Sequence, residues 1–187
     1  MKTVGLIIAK KHSRRLKGKN FRDFCGKPMF IWNLEKCLKI FDEVYVSSDY
    51  DYILEESKKL GAIPIKRPKE LCKSDVMNIP VYRHAFKHMG NPDIIVTVRV
   101  DSPTIKAEVI KRAKEFMENY GYSELLTVYP ADQNGRRAYG AVWALTKKRL
   151  KDTKDVMNPE PEILIVDDSV DIHTEEDLAK AVEQLAA

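Results

Sequence analysis

Short apolar runs alternate with helix-periodic segments along almost the whole chain, and that alternation restricts its fold more than any other feature. Strand-like runs occupy residues 3–9, 44–48, 62–66, 93–100, 124–128, 140–145 and 162–166. Apolar residues recur at helical spacing over 29–40, 50–60, 80–89, 106–119 and 175–185. A helix between two strands carries the chain back to the edge where it started, so the order predicts an α/β domain. Its sheet should be mainly parallel, with helices on both faces. Pro92, Pro130, Pro159 and Pro161 fall in connections between these elements. With 187 residues and no repeat, a single domain over 1–187 is the expectation. Thr174 can cap the last helix, with Asp177 in the acidic position three residues on.

In an open parallel sheet, ligands bind beyond the carboxyl ends of the strands. The first strand ends in a loop carrying Lys10, Lys11, Arg14, Arg15, Lys17 and Lys19, with Ser13, Gly18 and Asn20 between them. Cationic side chains neutralise phosphate oxygens and loop N–H groups can wrap them, so this loop reads as a polyphosphate site. The plainer reading is a solvated basic surface loop. A Walker A loop is excluded, because Gly18 and Lys27 are too far apart and no Ser or Thr follows Lys27. There is no G-x-G-x-x-G run either. The formal charge of +4 is concentrated in this loop rather than spread as a stripe, which argues against nucleic-acid binding. No apolar run has membrane-spanning length and the chain opens directly on a strand, so a cytoplasmic protein without a signal peptide is expected. Cys25, Cys37 and Cys72 lack zinc or disulfide spacing, and Cys37 reads as a small core residue.

The other strand ends are polar too. They offer Ser47, Ser48 and Asp49, then Arg67, then Arg99, Asp101 and Ser102, and last Asp167, Asp168, Asp171 and His173. Asp101 and Asp171 beside a polyphosphate loop suit magnesium, which takes few protein oxygens and completes its shell with water and phosphate. The alternative is that Asp101 caps the next helix and Asp171 sits in a solvated turn. His84 and His88, spaced i, i+4, read as surface histidines, and Phe30, Trp32, Phe86 and Trp143 as core. Asp49, Asp51, Glu55 and Glu56 read as an acidic helix start.

Several of these segments resemble the CMP-sugar synthetases, the acylneuraminate and keto-deoxy-octulosonate cytidylyltransferases. That family opens with a strand and A-R-x-G-S-K-R-x-P-G-K-N, then x-G-K-P-L. The corresponding residues here are Ala9-Lys10, Ser13-Arg14-Arg15-Leu16, Gly18-Lys19-Asn20 and Gly26-Lys27-Pro28-Met29. The run from Phe41 to Asp49 is similar to F-D-E-V-V-V-S-T-D, and Arg67-Pro68 followed by Leu71 and Asp75 to R-P-x-x-L-x-x-D. Arg99-Val100-Asp101-Ser102-Pro103 keeps the metal-binding Asp of Q-G-D-E-P-L but has Arg where that family has Gln. Asp171-Ile172-His173-Thr174 is similar to D-I-D-T, with His173 at the second Asp.

The resemblance implies a Rossmann-like nucleotidyltransferase fold and transfer of CMP from CTP to a sialic-acid-like or keto-deoxy-octulosonate-like acidic sugar, releasing pyrophosphate. Another anionic acceptor such as a phosphonate, or a nucleotide-binding regulator without turnover, remains an alternative. It assigns catalysis to Lys10, Lys19 and Asp101, and nucleotide binding to Ala9, Lys10, Ser13, Arg14, Lys19, Asn20, Arg67 and Ser74. Where the chain departs from the family, Arg99 and the pair Arg136-Arg137 themselves favour an anionic acceptor, and a magnesium ion falls to Asp101 and Asp171. The family's dimerisation segment is short here, at about 130–140, so a monomer or weak homodimer is expected. Read as an unpaired metal carboxylate, Asp101 should repel its surroundings, and Asp101→Asn should leave the fold intact or even stabilise it.

Overall fold

The computed structural model describes residues 1–153 and 159–186. Among the described residues nine strands occur: β1 (Thr3–Ile8), β2 (Asp23–Phe24), β3 (Lys27–Pro28), β4 (Val44–Ser48), β5 (Ile63–Lys66), β6 (Ile94–Arg99), β7 (Glu124–Val128), β8 (Tyr139–Thr146) and β9 (Ile163–Val166). The helices are α1 (Met29–Ile40), α2 (Asp51–Lys59), α3 (Asn78–Phe86), α4 (Ala107–Asn119), α5 (Lys147–Asp152) and α6 (Glu175–Ala186). Seven strands form one sheet in the order β5-β4-β1-β6-β8-β7-β9, while β2 and β3 make a separate small hairpin.

β1, β4, β5 and β6 pair in parallel, as the strand–helix alternation demands. β8 runs antiparallel to both β6 and β7, and β9 returns parallel to β7. The sheet is therefore mainly parallel, and β9 ends at the same edge as β1 and β6. The side chains of β1 alternate as a doubly covered strand must. Val4 and Leu6 join a core with Tyr82 of α3 and Leu150 of α5, whereas Ile7 and Ala9 join Phe30 and Leu34 of α1 and Ile110 of α4. Helices thus cover both faces. α6 packs elsewhere, through Ala181 onto Leu16, Phe24, Met29 and Ile172, and so covers the basic loop and the hairpin.

The element order leaves a switch point between neighbours. From β1 the chain steps to β4 and β5 on one side, then crosses to β6 on the other. The loops leaving β1 and β6 diverge there and open a crevice, the usual ligand position in such sheets. Ile8 of β1 lies opposite Arg99 of β6, so the basic loop and the Arg99–Asp101 turn begin side by side.

Candidate active site

The basic loop is pinned before it reaches the crevice. Ala9 N–H donates to Ser47 O at 3.0 Å, Lys11 N–H to Asp49 Oδ1 at 2.8 Å, and the Asn20 amide to Lys10 O at 2.7 Å. Gly18 takes a left-handed conformation (φ 69°) at the point where the chain turns inward, so that Lys19 is buried. Lys19 Nζ then donates to Asp101 Oδ2 at 2.8 Å and to Ile172 O at 2.7 Å, and lies 3.4 Å from His173 Nδ1.

The turn after β6 is held from α1. Asn33, fully buried, donates to Arg99 O at 2.7 Å and to Ser102 O at 2.9 Å. Lys36, drawn down to about 8 by burial, donates to Pro103 O at 2.6 Å. The loop after β9 is fastened over the same turn. Asp167, buried, accepts from Ala141 N–H and Ser169 N–H, Val170 N–H donates to Thr104 Oγ1, and Ile172 N–H donates to Asp101 O at 2.8 Å. Thr174 and Asp177 form the expected reciprocal cap at the start of α6.

These attachments bring together residues distant in sequence. Arg99 Nε donates to Asp101 Oδ1 at 3.0 Å, and Nη2 lies 3.0 Å from both oxygens of Asp171. His173 Nε2 lies 3.0 Å from Asp171 Oδ2. A neutral imidazole with its proton on Nε2 satisfies both neighbours, since Nδ1 then accepts from Lys19. Burial lowers the His173 pKa, in keeping with that form. Burial opposes the charge on Asp101, but Arg99 and then Lys19 outweigh it and hold the carboxyl well below its ordinary range. Asp171 is pushed upward, first by burial and then by the charge of Asp101.

A cleft of about 610 Å³ opens beside this cluster, in the size range of small-molecule sites. Of the residues assigned from sequence, Lys10, Ser13, Arg14, Lys19, Asn20, Arg67, Ser74, Arg99 and Asp101 line it. Arg15 and Lys73 add to its positive wall. Arg67 is buried, with Nε and Nη2 on Ser47, which fixes the guanidinium plane at the end of β4. A smaller cleft of about 160 Å³ adjoins it, lined mainly by apolar side chains such as Tyr82, Leu126, Val142 and Trp143, and Arg99 borders both.

Four expectations change. Asp101 is not an unpaired, self-repelling carboxylate, since two cations contact it. Lys19 cannot simply offer its charge to phosphate, because its ammonium is directed at Asp101, Ile172 O and His173. Ala9 is buried behind the loop rather than lining the cleft. Arg136 and Arg137 are exposed on the loop from β7 to β8 and line neither cleft. Sequence reasoning missed Asn33, Lys36, Lys73 and Thr104. Asp49 was read as part of a helix start, although its place at a strand end pointed toward the site.

The donor set at the end of the cluster fits a metal ion. One oxygen each of Asp101 and Asp171 and a nitrogen of His173 lie within 4.8 Å of one another, so these residues could hold a divalent ion. Two hard oxygens with one imidazole suit such an ion.

A parallel-sheet crevice with a basic wall and a carboxylate pair at one end defines a nucleotidyltransferase-like α/β protein. The chain belongs to the cytidylyltransferase family, whose model matches residues 4–182. It is 32% identical over 127 residues to the pseudaminic acid cytidylyltransferase of Campylobacter jejuni, covering 64% of this chain and 55% of that protein. It is 27% identical over 127 residues to the N-acylneuraminate cytidylyltransferase of Oncorhynchus mykiss, covering 67% and 29%. The chain thus spans about half the length of the first of these relatives or less. A CMP:2-keto-3-deoxy-manno-octonic acid synthetase solved with CTP shares the fold, at a TM-score of 0.78 and 15% identity, covering 100% of this chain and 99% of that one. No helix among the described residues is long and apolar enough to cross a membrane.

Proposed function

We propose that this chain transfers CMP from CTP to an acidic sugar and releases pyrophosphate. The observation that carries this reading is the basic cleft at the β1–β6 switch point, with Asp101 in its lining and Asp171 held beside it by Arg99. The pseudaminic acid and N-acylneuraminate relatives support an acidic sugar as acceptor. In this reading Lys10 and Arg14, with Arg15 and Lys73 beside them, neutralise the triphosphate. Arg67 and Ser74 bound the end of the cleft that takes the base, and Asn20 shapes the loop through Lys10 O. The acceptor enters the adjoining apolar cleft, with Arg99 at the junction to meet its negative charge.

An acceptor hydroxyl oxygen attacks the α-phosphorus in line and yields its proton to solvent water, the bond from that phosphorus to the bridging oxygen breaks, and pyrophosphate leaves with the electron pair. The cationic wall stabilises charge that grows on the leaving group. Magnesium held by Asp101 and Asp171 would add Lewis-acid stabilisation of phosphoryl charge. The same reading places the chain in the cytoplasm.

Pyrophosphate release should be measured with CTP, UTP, ATP or GTP, each with magnesium and a panel of acidic sugars. Turnover is expected with CTP and an acidic sugar. Preference for a purine nucleotide, or no pyrophosphate with any combination, would overturn the proposal.

A further inference from the structure

The Arg99 guanidinium lies between the two carboxylates that would hold a metal. Counted by charge, the cluster is closed. Lys19 and Arg99 balance Asp101 and Asp171. A divalent ion approaching this arrangement meets no net attraction, and the oxygens it needs already accept hydrogen bonds from Arg99.

The two cations differ in exposure. Lys19 is 7% exposed at its side chain and donates to a backbone carbonyl as well as to Asp101. Arg99 is 30% exposed at its side chain, more than any other member of the cluster, and it faces both clefts. A purely structural ion pair has no reason to front two ligand clefts.

We propose that Arg99 is an internal competitor for the metal: its guanidinium holds the Asp101–Asp171 pair closed, and a divalent cation binds tightly only when Arg99 turns away. An anionic group entering either cleft supplies the alternative partner, so metal affinity is coupled to occupancy of the cleft by an anion. The inference rests on the reading that Asp101 and Asp171 form the metal station.

The test is a manganese titration of the full chain without nucleotide, followed by electron paramagnetic resonance. Arg99→Gln is expected to bind manganese at least about tenfold more tightly than the native chain. Adding Asp171→Asn to that variant should abolish the gain. If Arg99→Gln binds manganese no better, or if the gain survives loss of the Asp171 charge, the proposal is overturned. Should Arg99→Gln not fold by circular dichroism, Arg99→Lys carries the same test. Its shorter reach cannot span both carboxylates, so affinity is expected to rise, and an unchanged affinity overturns the proposal. Failure of the cytidylyltransferase reading would show separately, as absence of CTP-dependent pyrophosphate release by the native chain.

Discussion

Lys19 donates to Asp101 Oδ2 at 2.8 Å and Arg99 to both of its oxygens, nearest at 3.0 Å, and each would lose a counter-charge if the carboxylate became an amide. Breaking a buried pair by removing one partner is costly because the other charge stays behind. Asp101→Asn is therefore expected to destabilise the fold by on the order of 3 kcal/mol at neutral pH, measured by urea unfolding. The pH dependence has a definite sign. The folded-state pKa of Asp101 lies below its ordinary 3.8, so its contribution is complete above that value and is lost as pH falls below it. The stability gap between the native chain and Asp101→Asn should hold from pH 7 to about 5 and narrow below pH 3.8. A gap that widened on acidification would contradict the pairing.

β8 is the element that joins the crevice to the far half of the sheet, and it tolerates little change where it begins. A Cβ on Gly140 would lie 2.5 Å from Thr127 Oγ1 and 3.0 Å from both Asp167 Oδ2 and the Thr127 carbonyl carbon. Thr127 and Asp167 are both buried, and Asp167 fastens the loop that presents Asp171. Gly140→Ala should cost about 1–3 kcal/mol, the usual range for overpacking, and lower the thermal midpoint. An unchanged midpoint would mean that the β7–β9 junction relaxes freely. Elements of this kind differ in how they announce themselves. α1 and α4 carry full apolar stripes and were placed within a residue of their bounds. The hairpin of β2 and β3 has two residues per strand, too few for any period, and α5 buries Leu150 alone.

At the scale of the molecule, the loop from β7 to β8 bears on assembly. Asp132 Oδ1 accepts from Asn134 N–H and Arg136 N–H at 2.8 Å, and Gly135 N–H donates to Asp132 O at 2.9 Å. The loop is thus held by turn bonds of its own around Asp132. Light scattering at micromolar concentration is expected to show a monomer or a weak, concentration-dependent dimer. A dimer that persists on dilution would refute that view.

The period of each apolar run determined where most strands and helices lie, because burial on one face or two leaves a local pattern. The strand–helix alternation determined that most strands are parallel, and with that rule the edge at which polar strand ends gather. The direction of β8 had no such signature, since a period of two reads the same both ways. The commitment of Lys19 and Arg99 was equally hidden. Arg99 and Asp171 are 72 residues apart in sequence, and only the packing of three loops at one sheet edge brings their charges within 3.0 Å. Residue types along the chain could name candidates for a phosphate and metal site. Which charges neutralise one another and which remain for a ligand was decided in three dimensions, because electrostatic energy depends on distance through space rather than along the chain.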